Sequence, residues 1–548
     1  MRRFNVTGIC VPSKHYMADI SVKLDAIIQL IKAGHYFTIN RARQYGKTTT
    51  LSQLSKKIEN DYICARLSFE DAGDENFESS QAFCSMFLLK MAQALKFTAV
   101  PPDYAKEWLD ENVAGFVALS GHIAKMCKDK KVVLIIDEID KSANFRVLIH
   151  FLGMLRAKYL AAQEDRDQTF HSVILAGVVD IKNLKLKMIN DGLYEPVGSE
   201  SGVYNSPWNI AADFNIDMSF NPAEISSMLY EYESERKTGM NINVMSELIY
   251  DFTGGYPFLV SRLCMLIHDT VNMDWSYRGV LNAVKILVNE KNVLFDDLSK
   301  NLENNGETFE FLYGLLIVGE KKYYAIGDPV VDQAIMYGYI KRENNRIFTG
   351  CFGNGNNLSG DNVYNVGSGY AAISNKIFEM WLSNYFISKD SNVSHIENAV
   401  SGSLYDEITS GGSIDMALCL RKFAEHYNEI YAGADTPFLE RHGRLLFISY
   451  LRPFINGGGF YHIESQLTDL RRMDIVVDYG RDQFIIELKR WSGEADNANA
   501  YAQLLSYMDA KNAGTGYLLT FDFRKTRSAV IKTEWVSFGD KRIFSVFV

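Results

Sequence analysis

Short apolar runs alternate with longer helical patterns through the first two hundred residues. The runs are Tyr36–Ile39, Tyr62–Phe69, Val132–Ile136 and Ser172–Val178. The segments between them place apolar residues at the spacing of an amphipathic helix. Strands that are apolar along their whole length are covered on both faces, and their alternation with helices is typical of a parallel sheet. The pattern therefore predicts an α/β domain with a parallel-sheet core over residues 1–219.

The pattern changes beyond this region. Residues 220–300 are helical, with a break at Gly254-Gly255-Tyr256-Pro257, and predict a helical lid. Residues 301–390 run helix, short strand, helix, strand pair and helix, which is the order of a winged helix, and a helical connector follows at 391–434. Residues 435–548 mix strands and helices. We therefore expect an α/β multidomain chain whose last part is an α+β domain.

Composition narrows the class of protein. The chain has 548 residues, 47% of them apolar, which is too long for one hydrophobic core and typical of several folded domains. It contains no apolar run of the roughly 20 residues that span a bilayer, and residues 1–16 lack the apolar region of a signal peptide. The seven cysteines are scattered, which favours free thiols in a reducing compartment. A cytoplasmic protein without a membrane partner is expected.

Charge bears on the position of any nucleic-acid site. The net charge of −10 argues against a protein that coats nucleic acid nonspecifically. Acidic and basic residues nearly balance over 435–548, so the excess negative charge lies in the earlier part of the chain. A nucleic-acid site therefore fits the C-terminal segment better.

A candidate phosphate-binding loop follows the first strand. It reads Arg41-Ala42-Arg43-Gln44-Tyr45-Gly46-Lys47-Thr48, and Thr49 continues into a helix. Free N–H groups of such a loop and of the first helical turn point at an anion. Gly46 permits close backbone approach, Lys47 reaches the β- and γ-phosphates, and the Thr48 hydroxyl can ligate Mg²⁺. The plain alternative is a chance Gly-Lys-Thr, but the strand–loop–helix context favours an ATP site.

Two acids follow the strand Val132–Ile136. Asp137 is expected to lie near the Mg²⁺ ion of the ATP site. Glu138 is expected to orient or deprotonate the water that attacks ATP. The alternative is a buried strand that ends in a solvated acidic turn. The occurrence of this strand after the phosphate loop favours nucleotide binding. Arg41 stands where such loops usually begin with glycine, so we expect an altered start of the loop and added positive charge near the phosphates.

A hairpin near the C-terminus carries the second candidate site. Two strand-like runs flank a turn centred on Gly480-Arg481, and this turn pairs Asp474 with Glu487 on one face, together with Lys489. Their Cβ atoms would lie roughly 4.5–5.5 Å apart. Two facing carboxylates repel unless a divalent cation lies between them. Carboxylates, one or two Mg²⁺ ions and a lysine suit phosphodiester hydrolysis. The alternative is an edge hairpin with cross-strand charge pairing.

Several segments resemble bacterial AAA-ATPase-like proteins of the STAND-like signalling type that end in a PD-(D/E)XK nuclease-superfamily domain. The segments that carry the resemblance are Tyr36–Leu51, Ser206–Phe214, Thr253–Phe258, Leu451–Gly459, Arg471–Asp474, Ile486–Lys489, Gln503–Met508 and Gly516–Arg524. These relatives usually begin the loop with Gly-Pro-Arg-Arg; Arg43 matches the first arginine and Arg41 replaces the glycine.

The resemblance implies a role for each candidate residue. The C-terminal domain would have a restriction-endonuclease-like fold. In it Asp474 and Glu487 would bind metal, and Lys489 would be catalytic. Glu440 would be the acidic metal ligand on the helix that precedes the strands, and Gln503 would be the amide side chain of the cleft on the helix that follows them. At the N-terminus it implies a P-loop ATPase core whose nucleotide state controls the effector domain.

Three functions stay open at this point. The preferred prediction is an ATP-controlled, Mg²⁺-dependent nuclease acting on DNA or RNA. The second is a regulatory ATPase whose C-terminal domain binds nucleic acid without cutting it. The third is a protein-binding switch in which Asp474 and Glu487 are structural. The oligomeric state is left open, a homo-oligomer included.

Overall fold

The structure, a computed structural model, covers most of the chain. It describes residues 1–110, 112–139, 146–178, 208–318, 320–342, 369–389, 402–409, 413–431, 436–455, 459–462, 475–479, 482–491, 493–522 and 531–548. The chain divides into two compact units. The first comprises Met1–Tyr250, Gly255–Ser276 and Met336–Gly338, and the second comprises Asp251–Gly254, Tyr277–Ile335 and Tyr339–Val548. The finer division, with boundaries at 219, 300, 390 and 434, stays a prediction.

A parallel sheet lies at the centre of the first unit. Its strands are β1 (Tyr36–Asn40), β2 (Ile63–Ser68), β3 (Val132–Asp137) and β4 (Ser172–Gly177). They run in the order β1-β4-β3-β2, and every neighbouring pair is parallel. A parallel bridge from Phe37 to Ala212 extends the sheet beyond β1. The four strands and the parallel sheet predicted from the sequence are confirmed.

Helices cover both faces of this sheet. On one face Leu67, Leu134 and Leu175 join a core that includes Phe83 and Phe87 of the helix Ser80–Leu95. The other face bears the P-loop helix (Lys47–Ile58), whose first turn is reached by the side chain of Arg66 from β2. Coverage on both sides explains why these strands read as mostly apolar runs.

Helices also occupy the described segments between and beyond the strands. In chain order they are Ser21–Lys32, Lys47–Ile58, Ser80–Leu95, Pro102–Glu107, Phe116–Cys127, Arg146–Gln163, Pro222–Arg236, Ile242–Thr253, Pro257–Asp269, Tyr277–Asn289, Val293–Asn304, Gly306–Tyr313, Pro329–Met336, Lys376–Lys389, Gly402–Ile408, Met416–Tyr431, Thr436–Ile455 and Glu494–Ala510. A 3₁₀ turn (Asp74–Phe77) and a π-helical turn (Gly314–Val318) complete them. Within the described parts of the chain, none of these helices has the length and apolarity needed to cross a bilayer.

A small module, which belongs to the second unit except for Met336–Gly338, has the predicted winged-helix order. The helix Gly306–Tyr313 precedes an antiparallel bridge from Tyr323 to Tyr370. The helix Pro329–Met336 then leads into the antiparallel pair of β5 (Ile340–Arg342) and β6 (Ala371–Ile373). The helix Lys376–Lys389 closes the module.

A six-stranded mixed sheet ends the described chain. Its strands are β7 (Gly459–His462), β8 (Ile475–Tyr479), β9 (Asp482–Arg490), β10 (Thr515–Phe521), β11 (Lys532–Phe538) and β12 (Lys541–Phe547), in the order β11-β12-β10-β9-β8-β7. Strand β10 runs parallel to both β9 and β12, and the other pairs are antiparallel. The helix Glu494–Ala510 connects β9 to β10 and buries Leu504 and Met508 against Ile485 and Leu518.

The register of the C-terminal hairpin is the predicted one. Strands β8 and β9 pair Ile475 with Ile486 and Tyr479 with Asp482, which is the pairing expected from the sequence. Asp474 lies outside the described residues, and its position opposite Glu487 stays a prediction. The α/β core, the helical segment, the winged-helix-like module and the α+β terminal domain are confirmed as a fold class.

Gly255 provides a stability test of the helix break. Its φ is +73°, and an added Cβ would lie 1.9 Å from the carbonyl oxygen of Phe220. Because no L side chain fits there, Gly255→Ala should destabilise the first unit by at least about 2 kcal/mol in urea unfolding. Gly121, in the helix Phe116–Cys127, has open space around its Cβ position. Gly121→Ala should be neutral or stabilising by up to about 1 kcal/mol. Equal unfolding midpoints for the two variants would contradict this prediction.

Candidate functional site

The candidate phosphate loop bends at two residues with left-handed backbone conformations. Gln44 has φ +58° and Gly46 has φ +76°, and Gly46 immediately precedes the P-loop helix. Lys47 is only 5% exposed, and its Nζ donates to the carbonyl oxygens of Arg41 (2.9 Å) and Ala42 (3.1 Å). The loop therefore curls around its own lysine ammonium. A buried cation at the start of a helix fits the phosphates of a nucleotide.

Tyr256 and Pro257, at the break between two helices, pack against this loop. The Tyr256 hydroxyl donates to the Arg43 carbonyl at 2.6 Å, and the Tyr256 ring meets Tyr45 edge-on with centroids 4.5 Å apart. Pro257 lies 3.8 Å from the position that a Cβ would take on Gly46. From the sequence, this segment is a break between helices and part of the family resemblance; the contact of Tyr256 and Pro257 with the loop is a finding of the structure.

Other loop residues are fixed by neighbouring segments. The Tyr45 hydroxyl lies 2.6 Å from Ser219 Oγ, and burial raises the pKa of Tyr45. The Thr49 hydroxyl accepts from the backbone N–H of Cys10 at 3.1 Å. These contacts hold the start of the P-loop helix in one conformation.

The Arg41 side chain contacts residues outside the phosphate loop. Its guanidinium donates to the carbonyl oxygens of Asn40 (2.8 Å) and Ile216 (3.0 Å), and it lies over the Phe214 ring at 5.8 Å. Arg41 thus contacts the chain segment that follows the sheet. Its predicted influence on bound phosphates stays a prediction.

The acidic end of β3 lies beside the P-loop helix. Asp137 is 3% exposed, and its Oδ1 accepts from the backbone N–H of Glu138 at 3.1 Å. Glu138 has φ +54°, a conformation that few non-glycine residues adopt and that is common at functional sites. The carboxylate chemistry of Asp137 fits a divalent cation bound near Thr48.

Arg66 joins these two halves, although the sequence did not single it out. Its Nη2 donates to the Thr48 carbonyl at 3.3 Å and lies 3.6 Å from Asp137 Oδ2. The sequence could have indicated Arg66 because it is a charged residue in the middle of an otherwise apolar strand. Such a residue needs a partner when the strand is buried.

In the C-terminal sheet, Glu487 and Lys489 lie on one face of β9. Glu487 is 1% exposed, and Lys489 Nζ is 3.0 Å from its Oε1. Lys489 also donates to Gln503 Oε1, 3.3 Å away on the helix Glu494–Ala510. The structure therefore brings together three of the predicted residues, namely Glu487 and Lys489 on β9 and Gln503 on the helix beside it. A buried carboxylate beside a lysine fits a hard cation and an anionic substrate.

The other two acidic residues predicted for this site, Asp474 and Glu440, have no described side chains. Asp474 lies outside the described residues; Glu440 is on the helix Thr436–Ile455, but its side chain is not among those described. Within the described part of the chain, no three His, Cys, Asp or Glu side chains form a metal-binding group. The predicted metal role of Asp474, Glu440 and Glu487 therefore stays a prediction.

Two further polar residues share the face of Glu487. Thr520 on β10 pairs with Lys489, and Ser545 on β12 pairs with Leu518, the partner of Glu487. Both residues are buried, Thr520 at 1% and Ser545 at 0% exposure. The sequence offered only a weak signal, namely single hydroxyl residues within apolar strands.

Two protein-family models match parts of this chain. The AAA-like domain family matches residues 6–282, and the PD-(D/E)XK nuclease superfamily matches residues 460–533. No curated protein matches the chain significantly.

Solved structures show likeness at low sequence identity. A Walker-type ATPase of Pyrococcus abyssi has a TM-score of 0.46 at 10% identity and covers 69% of this chain and 99% of its own. Cdc6p from Pyrobaculum aerophilum has a TM-score of 0.30 at 13% identity, with 60% and 82% covered. The ORC2 protein of Aeropyrum pernix has a TM-score of 0.31 at 12% identity, with 61% and 83% covered. With the AAA-like match spanning just over half of its length, the chain belongs to the AAA-like domain family and carries a PD-(D/E)XK nuclease-superfamily domain near its C-terminus.

Proposed function

We propose that this protein is an ATP-controlled switch whose C-terminal domain is a Mg²⁺-dependent nuclease. ATP would bind at residues 41–49, and its presence would change the activity of the nuclease domain toward DNA or RNA. The observation that carries the nuclease part is the buried Glu487 carboxylate with the Lys489 ammonium 3.0 Å away. Their placement on a strand of the PD-(D/E)XK match supports it.

At the N-terminal site each residue would have a separate task. Lys47 would neutralise the β- and γ-phosphates, and Thr48 and Asp137 would hold Mg²⁺. Glu138 would orient the attacking water and accept its proton. Mg²⁺ would supply charge neutralisation at the phosphates. The STAND-like character and the bacterial origin implied by the resemblance belong to this proposal.

At the C-terminal site Asp474, Glu487 and Glu440 would hold Mg²⁺, which lowers the pKa of bound water. Lys489 would stabilise negative charge that develops at the phosphate. Gln503 would orient the Lys489 ammonium through the hydrogen bond already present. The C-terminal domain would therefore bind the nucleic acid.

A cleavage assay tests the proposal. Purified protein is mixed with labelled single-stranded DNA, double-stranded DNA and RNA, with Mg²⁺ or Mn²⁺, with ATP, with ADP and without nucleotide. Metal-dependent cleavage that changes between ATP and ADP supports the switch. Cleavage of no substrate in any of these conditions contradicts the nuclease proposal.

Glu138→Gln should separate nucleotide binding from hydrolysis. Removing the carboxylate takes away the proton acceptor, so the hydrolysis rate should fall by about 10²-fold or more, whereas ATP affinity should stay within about threefold of wild type. Phosphate release and calorimetric titration measure the two quantities. Glu164→Gln, at a solvent-exposed ion pair with Arg166, is a matched control that should change neither. Normal hydrolysis by Glu138→Gln would show that another group positions the water.

The second candidate is a regulatory ATPase whose C-terminal domain binds nucleic acid or a protein without cleavage. The ion pair of Lys489 and Glu487 favours this candidate, because a carboxylate whose charge is offset by a lysine does not require a metal ion. The same cleavage assay separates the two candidates when nucleic-acid binding is measured in parallel by fluorescence anisotropy.

A further inference from the structure

Arg66 lies on the face of the sheet that the P-loop helix covers. The parallel register pairs Arg66 with Ile135 and Ser68 with Asp137. Since side chains on a strand alternate, Arg66 and Asp137 point to the same side of the sheet. The Arg66 side chain is 25% exposed and reaches over the strand end between β3 and the helix.

The guanidinium spans the two halves of the nucleotide site. Its Nη2 donates to the Thr48 carbonyl at 3.3 Å and lies 3.6 Å from Asp137 Oδ2. Thr48 and Asp137 are the residues to which the proposed function gives the metal. A fixed positive charge at this place has two electrostatic effects. It offsets the Asp137 carboxylate, and it opposes a second cation at the same place.

We propose that Arg66 is the built-in counter-ion of Asp137 and makes nucleotide binding less dependent on a divalent cation. This inference rests on the proposed ATP site. In the absence of metal, an uncompensated buried Asp137 would repel the phosphates, and Arg66 prevents that repulsion. In the presence of metal, the positive charge of Arg66 is redundant and unfavourable. Arg66 is therefore a positioning residue that sets how strongly Mg²⁺ couples to nucleotide binding.

Calorimetric titration of ADP measures this coupling without any turnover. The dissociation constant is determined in Mg²⁺ and in EDTA, and the quantity of interest is the ratio of the EDTA value to the Mg²⁺ value. Arg66→Met retains the aliphatic stem of the side chain and removes its charge. It should raise the ratio by about tenfold, chiefly through weaker binding in EDTA. Arg66→Lys keeps a positive charge and should lie between wild type and Arg66→Met.

Two control variants identify the interaction responsible. Lys56→Met removes an exposed positive charge from the same P-loop helix and should leave the ratio unchanged. In an Asp137→Asn background the carboxylate charge is already gone, so adding Arg66→Met should no longer change the ratio. Thermal unfolding of each variant checks that the first unit is intact.

The outcomes are distinct. A higher ratio in Arg66→Met that disappears in the Asp137→Asn background supports the proposal. Equal weakening of ADP binding with and without metal overturns it, because Arg66 would then support only the fold of the site. An unchanged ratio also overturns it. A wild-type protein that binds ADP in neither buffer rejects the ATP site itself, and the Arg66 proposal with it; a failure of Arg66 alone leaves ADP binding by wild type intact.

Discussion

Glu487→Gln is expected to reduce metal-dependent cleavage by about 10²–10³-fold or more, while the C-terminal domain stays folded. The amide has the shape of the carboxylate but lacks the charge that a divalent cation requires. Glu487 is buried on β9, so the neutral amide would take the place of the carboxylate at the same position in the sheet. Initial rates on the preferred substrate at several Mg²⁺ concentrations measure the effect.

The variant also separates cleavage from binding. Since Lys489 keeps its hydrogen bond to Gln503, the positive charge that faces a phosphate remains in place. Nucleic-acid affinity measured by anisotropy should therefore change by less than about fivefold. Loss of the charge of one metal ligand leaves the other contacts of the protein with the nucleic-acid phosphates intact. Parallel loss of binding and cleavage would instead indicate that the domain had unfolded or that Glu487 holds the sheet together.

Glu534→Gln provides the matched control. Glu534 lies on β11 in the same sheet, pairs with Ser545 and is exposed to solvent. The same chemical change at that position should alter neither cleavage nor stability beyond about 0.5 kcal/mol. Wild-type cleavage by Glu487→Gln would contradict the metal-binding role of the residue and favour the candidate that binds without cutting.

The sequence predicts some residues of each candidate site and not others. Strands β1 to β4 and the β8–β9 register follow from local patterns, namely apolar runs that demand burial and a two-residue turn that fixes pairing. Lys47 and Glu487 could be chosen for the same reason, because each lies at a fixed distance along the chain from a predictable strand or turn.

Arg66, Tyr256 and Thr520 could not be chosen in this way. Tyr256 reaches the Arg43 carbonyl from a helix more than two hundred residues further along the chain. Arg66 meets Asp137 only because β2 lies next to β3, and strand order is a property of the whole sheet. A polar residue in an apolar strand indicates that some partner exists, but one sequence does not show which elements become neighbours and therefore which residue that partner is.

Lys47→Ala is expected to weaken ATP binding by about 10²-fold or more. The ammonium is the predicted phosphate contact that carries a full charge at the centre of the loop, where it is held by the carbonyl oxygens of Arg41 and Ala42. Burial keeps water from screening this charge, so its loss is felt strongly. Calorimetric titration with ATP in Mg²⁺ measures the change.

The loop geometry makes a second variant necessary. Because Lys47 also donates two hydrogen bonds within the loop, alanine removes both a charge and a structural support. Lys47→Met retains the volume of the side chain, and its thermal midpoint should lie closer to that of wild type than the midpoint of Lys47→Ala. If both variants lose ATP binding equally although their midpoints differ, the ammonium charge is what binds the phosphates. Wild-type ATP affinity in Lys47→Met would contradict the phosphate-binding role of Lys47.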